Sequence, residues 1–194
     1  AKRLQQCGYC GRRTGAIVSD APLSKQRILG IDPGSRLTGF GIIDVDIKRA
    51  TYVASGSVQS ARGSFPERLQ LIFRSIGEIV AEYQPQVVAI ESVFVHRNPG
   101  SALKLGQARA AALCATFSVE TEVHEYAPRE IKQAIVGTGA ATKEQVQHMV
   151  TSLLSLDGAP SPDAADALAA ALCCAHRQRM HVRMTGIAEM RVVR

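Results

Sequence analysis

Apolar positions along the chain switch between two periods, and the switches mark out an alternating order of elements. Arg27 to Asp32 (RILGID) is a short apolar run that ends in an acid. Leu37 to Asp46 (LTGFGIIDVD) and Ala50 to Val58 are strand-like segments, and the short connections among the three predict an antiparallel meander. The period then lengthens. Leu69, Ile72, Phe73, Ile76, Ile79, Val80 and Tyr83 fall on one helical face. Ser64 and Glu67 read as a capping box at the start of that helix, and Pro85 stops it. Val87 to Glu91 (VVAIE) is a buried-type strand, again closed by an acid. A helix rich in small residues covers Ser101 to Phe117, and Val123 to Tyr126 reads as a fifth strand. Pro128 starts a short helix that Gly137 ends. Thr142 with Gln145 caps another, whose apolar face is Val146, Met149, Val150, Leu153 and Leu154. After the Gly- and Pro-containing stretch Asp157 to Pro162, a last helix starts near Asp163 and runs to about Arg177. Three strands, a helix, a strand, a helix, a strand and further helices predict a mixed sheet with helices packed on it, an α/β domain.

Composition supports one folded domain between two basic ends. The chain has 194 residues and is 46% hydrophobic, enough for a single buried core. Residues 1–27 carry six Lys or Arg against one Asp, and residues 177–194 carry five Arg against one Glu. The whole chain is +6, so the body between the ends is net negative. The expected organisation is a flexible basic N-terminal extension over 1–26, a domain over 27–177 and a basic C-terminal tail over 178–194. Cations gathered at the ends suit a polyanion, with nucleic acid as the first candidate. An odd set of five cysteines, two of them adjacent, does not resemble a disulfide framework. Cys7 and Cys10 have the spacing of half a zinc knuckle, without the second pair that would complete four ligands. No apolar run approaches the roughly 20 residues that span a bilayer, and no secretory leader is evident, so a reducing cytoplasmic setting fits best.

The chemistry lies in the acids. Asp32 and Glu91 each close a strand, and strand ends are where α/β sheets assemble their sites. Asp163 and Asp166 lie three apart in the first turn of a helix, on one face and favoured as anions by the helix dipole. Asp32 could equally serve its Asp-Pro-Gly turn, and Asp163 could be a cap. Glu91 is harder to explain that way, because a Glu closing a strand of Val, Val, Ala and Ile would be poorly solvated without a partner. Four convergent carboxylates would repel unless hard divalent cations neutralised them. Two such ions roughly 4 Å apart can clamp an in-line displacement at phosphorus.

Longer segments carry a specific resemblance. ILGIDPGSRLTGFGII from Ile28, AIESVFVHRNPGSALKLGQARAAAL from Ala89, VGTGAATKEQVQHMV from Val136 and PDAADALAAALC from Pro162 resemble the RuvC family of Holliday-junction resolvases nearly residue for residue. The resemblance spans about Arg27 to His176. It implies a ribonuclease-H-like five-stranded mixed sheet, with its first three strands antiparallel and helices on its flanks. It implies that Asp32, Glu91, Asp163 and Asp166 are the catalytic, metal-binding acids. Two Mg²⁺ per site are expected, with Mn²⁺ as a substitute. The activity implied is symmetric nicking of four-way DNA junctions by a homodimer in recombination and repair, leaving 5′-phosphate and 3′-hydroxyl ends. A branch-migration motor complex is a candidate further partner.

The same resemblance nominates DNA contacts. Lys132 and Lys143 match basic residues near the active site and the DNA. Phe94 matches a DNA-contacting position and would stack on an unpaired base at the junction centre. Arg97, Lys104 and Arg109 are candidate phosphate contacts. Rival readings are a phosphotransferase of the actin-like class, a junction-binding module without catalysis, and a nuclease for another substrate. The first would need a second related domain, for which the chain is too short. Retention of all four acids argues against the second, and the helices and loops outside the acids argue against the third.

Overall fold

The computed structural model describes residues 25–92 and 99–192, with side chains as far as Val182. It is built around a five-stranded sheet. Strands β1 (Gln26–Asp32), β2 (Leu37–Val45) and β3 (Ala50–Gln59) form the antiparallel meander. Helix α1 (Phe65–Tyr83) crosses over to β4 (Val87–Glu91), and α2 (Pro99–Thr116) leads to β5 (Glu122–Tyr126). Strands β4 and β5 run parallel to β1, giving the order β3-β2-β1-β4-β5. Helices α3 (Pro128–Val136), α4 (Lys143–Leu153) and α5 (Pro162–Val192) complete the fold.

Strand alternation sorts the core into two layers. Leu29, Ile31, Val88 and Ile90 face one side of the sheet, where Ile72, Ile76 and Val80 of α1 and Ala108, Ala112 and Ala115 of α2 cover them. Ile28, Val87 and Ala89 face the other, against Ile131 and Ile135 of α3, Val146 and Val150 of α4, and Leu168 and Leu172 of α5. The small residues of α2 therefore serve the core on their buried side. Phe73, expected among the buried positions of α1, is 48% exposed, because Ile72 and Ile76 already fill the inward direction of that turn. Leu153 likewise remains 39% exposed at the end of α4.

Local chemistry ends the helices as the sequence indicates. The Glu67 carboxylate accepts from the Ser64 backbone N–H at 2.7 Å, and Gly137 closes α3 with a left-handed φ of 84°. Helix α5 differs from expectation. It continues past Arg177 to Val192, 31 residues or about 46 Å, so the segment expected as a basic tail begins as helix. Residues 1–24, with the Cys7 and Cys10 pair, lie outside the described residues.

The sheet's far end is pinned by Asp44. Arg27 donates to it from Nε at 2.8 Å and from Nη2 at 3.1 Å, and Lys25 Nζ lies 3.0 Å away. The Arg27 hydrogen bond is the main cause holding the Asp44 carboxyl below its ordinary range. Its stabilisation is therefore complete above the unfolded carboxylate range and is lost as pH falls through the lower folded value. Asp44→Ala is expected to cost about 2 kcal/mol at pH 7 in urea unfolding, with the difference shrinking toward pH 3. A pH-independent difference would show that packing, not charge, holds this corner.

Candidate active site

The two strand-terminal acids come together because parity and register agree. In β1, Ile28 and Gly30 face α5, so Asp32 at the strand end turns the same way. In β4, Val87 and Ala89 face α5, and Glu91 follows them. The parallel register pairs Ile31 with Ile90, which places Asp32 beside Glu91. Ser92 then carries the ladder one step further. Its N–H and its hydroxyl both donate to the Tyr126 carbonyl, at 2.9 and 3.1 Å, which fixes the backbone next to Glu91.

Helix α5 brings the other two acids. Its first turn carries Asp163 and Asp166 and lies directly on the sheet, because glycines remove the side chains that would hold it off. A Cβ at Gly39, the partner of Asp32 in β2, would lie inside van der Waals contact of the Asp163 carbonyl. One at Gly30 would collide with the Ala167 carbonyl oxygen. Alanines 164, 165, 167 and 171 are the matching small surface on the helix. Within the turn after Asp32, the buried Thr38 hydroxyl donates to the Gly34 carbonyl at 2.9 Å.

The electrostatics are those of crowded, poorly solvated carboxylates. Burial, followed by the charges of Glu91 and Asp166, pushes Asp32 up to about 8. Burial and then Asp166 push Glu91 up to about 7. Cations act in the other direction. Lys143, at the start of α4, places Nζ 2.8 Å from Asp166 Oδ2, and that contact raises its own pKa. Lys132 of α3 opposes the shift on Glu91. Among the described residues no three Asp, Glu, His or Cys groups are gathered tightly enough to enclose an ion by themselves. The donor set is nevertheless all carboxylate oxygen, the chemistry that hard divalent cations select.

The other nominated contacts separate. Lys104 is exposed, with Nζ 6.0 Å from the centre of the Phe65 ring. Arg109 is mostly buried and pairs with Glu125 of β5 at 2.6 Å, so it ties α2 to the sheet edge rather than presenting a free cation. Phe94 and Arg97 lie outside the described residues. Sequence reasoning missed the seating of α5 on Gly30 and Gly39. The available signal was the glycines in β1 and β2 set against the alanine-rich start of the last helix.

Comparison with known proteins supplies the family and the fold. The family model described as crossover junction endodeoxyribonuclease RuvC matches residues 28–174. The RuvC of Aromatoleum aromaticum is 56% identical over 150 residues, covering 77% of this chain and 81% of the relative. That of Bordetella parapertussis is 55% identical over 159 residues, covering 81% and 87%. Among solved structures, Thermus thermophilus RuvC in complex with a Holliday junction substrate superimposes with a TM-score of 0.74 at 36% identity, covering 80% of this chain and 96% of that one. The yeast mitochondrial Holliday junction resolvase shares the fold, with a TM-score of 0.60 at 11% identity, covering 87% and 88%.

Proposed function

The chain belongs to the RuvC family of crossover junction endodeoxyribonucleases, and from that premise we propose that it resolves four-way DNA junctions at the Asp32, Glu91, Asp163 and Asp166 cluster. The observation that carries the assignment is the convergence of these four acids at one end of the sheet, with Asp32 and Glu91 both held above their ordinary ranges by burial and by one another's neighbours. Such a cluster is costly alone and is relieved by cations.

The cofactor we propose is Mg²⁺, two ions per site with Mn²⁺ as a substitute, held by the four carboxylates. When bound, such ions polarise a phosphodiester oxygen and supply hydroxide near neutral pH. The chain's own residues prepare the site. The Ser92 contacts to Tyr126 hold the strand end that carries Glu91, and the Thr38 hydroxyl closes the turn that follows Asp32. Lys143 donates from Nζ to Asp166 at 2.8 Å and holds that carboxylate in place, and Lys132 favours ionised Glu91. Both lysines would also attract the phosphate backbone.

A homodimer fits a substrate with two equivalent strands to cut. Leu71 and Phe73 on α1, Leu103 on α2 and Phe117 just after α2 are exposed apolar side chains that support such a contact. Cleavage by each subunit in turn would leave 5′-phosphate and 3′-hydroxyl ends that a ligase can seal. A DNA substrate supports a cytoplasmic location, and no described helix is long and apolar enough to cross a membrane.

The test uses a labelled synthetic four-way junction and a linear duplex of the same sequence, each with Mg²⁺ or with EDTA. Paired, ligatable nicks in the junction alone, absent with EDTA, are expected. Equal cutting of the duplex would remove the junction assignment. Binding without nicking, in Mg²⁺ and Mn²⁺ and across several junction sequences, would remove the enzyme.

A further inference from the structure

Two loops at the active-site end are joined by a single guanidinium. Arg68 of α1 donates from Nε to the Ser60 carbonyl at 2.6 Å and from Nη2 to the Ser35 carbonyl. Ser60 is fully buried, and its N–H donates to the Arg36 carbonyl at 2.8 Å. The turn that follows Asp32 (residues 33–36) and the segment between β3 and α1 (residues 60–64) are thereby locked to one another. Phe65 lies beneath the joint, with Arg68 Cζ 5.4 Å from its ring centre and Lys104 Nζ 6.0 Å from it.

Each locked loop presents one exposed arginine, Arg36 and Arg62. Neither is in an ion pair among the described residues. The Glu67 carboxylate at this corner is turned back onto the Ser64 N–H and hydroxyl. We propose that Arg36 and Arg62 form a phosphate-binding patch that holds the DNA backbone on the α1 side of the acid cluster, continuing toward Lys104. This rests on the reading of the chain as a junction endonuclease. Guanidinium groups suit phosphate because their donors meet two oxygens at once. Anchored loops lose little freedom when they bind, so the contact is preorganised. Arg68 is a positioning residue whose Nε and Nη2 donors are committed to the two loops.

The experiment measures junction affinity of an Asp32→Asn protein between 50 and 200 mM NaCl, with and without Arg36→Ala and Arg62→Ala together. Each phosphate contact contributes about 0.9 to the slope of log affinity against log salt, so the double change should lower the slope by about two. Affinity at the low-salt end should fall tenfold or more. Lys48→Ala with Arg49→Ala removes two cations from the hairpin at the opposite end of the sheet and should leave the slope unchanged. An unaltered slope in the Arg36 and Arg62 variant, or an equal fall in the Lys48 and Arg49 control, would overturn the patch while leaving the nuclease assignment standing. A parent protein that bound no four-way junction would overturn both.

Discussion

Asp32→Asn should reduce junction cleavage by about a thousandfold or more while making the metal-free protein more stable. The two effects have one cause. In the proposed site Asp32 would contribute an anionic ligand, and its loss would remove charge needed to hold the divalent ions that would act on phosphorus. The same carboxyl is a burden without metal, because its folded value of about 8 lies far above the ordinary 3.8. The folded state therefore holds a proton that the unfolded chain releases, and stability falls as pH rises from about 4 to about 8. Asparagine is neutral and of nearly the same shape, so the variant lacks that fall. At pH 8 the metal-free variant should exceed wild type by about 2 kcal/mol, roughly 4–8 °C in melting temperature for a domain of this size. Mg²⁺ should raise the wild-type midpoint and leave the variant nearly unmoved. Retained cleavage would remove Asp32 from the catalytic set, and a lower metal-free midpoint would show that its charge is satisfied in some other way.

Gly30→Ala should be severely damaging for the addition of a single methyl. The new Cβ would collide with the backbone of α5 at Ala167 and Ala171 rather than with a mobile side chain. A backbone oxygen in the buried second turn of the helix cannot swing aside, so the helix must lift from the sheet. A cost above about 3 kcal/mol, with much of the protein insoluble, is expected. Gly39→Ala acts at the first turn of the same helix, under Asp163. There the helix end can tilt, so stability should suffer less and cleavage more, by about a hundredfold, because Asp163 and Asp166 are carried away from Asp32. Gly77→Ala is the control. It lies inside α1 with nothing within 4 Å of a new methyl and should stabilise the protein by about 0.5–1 kcal/mol. Denaturation and single-turnover cleavage of the three variants separate these outcomes, and a wild-type-like Gly30→Ala protein would contradict the seating of α5.

What could be read from the chain beforehand follows physical range. Strands, helices and their stops depend on neighbours within a few residues, and the Ser64–Glu67 box, the Thr142–Gln145 cap and the Gly137 stop all occur as read. Fold class followed from element order, and the family resemblance supplied the sheet. The acids were visible because a carboxylate closing an apolar strand is conspicuous without any partner. The ion pair of Arg109 was hidden for the opposite reason. Its partner Glu125 is on another element, and only the packing of α2 against β5 makes the pair. Phe73 satisfied the helical period but stands at the margin of the buried stripe, where period alone does not decide exposure. The length of α5 was underestimated because the apolar pattern ends near Arg177, whereas the backbone ladder continues.

The order in which the chain leaves the ribosome gives the seating of α5 another meaning. All five strands and the first four helices precede Leu154, and that stretch contains Asp32 and Glu91 but neither Asp163 nor Asp166. A nascent chain at that stage has the framework of the sheet and half of its acids. Synthesis proceeds at about 5–20 residues per second, so this state lasts on the order of seconds. With the proposed acids, nuclease activity would begin only when the last helix docks on Gly30 and Gly39, a contact between residues more than a hundred positions apart. Such an active site would double as a proofreader of its own folding, because a chain that had not closed this long-range contact would lack two of the four acids with which it is proposed to cut DNA.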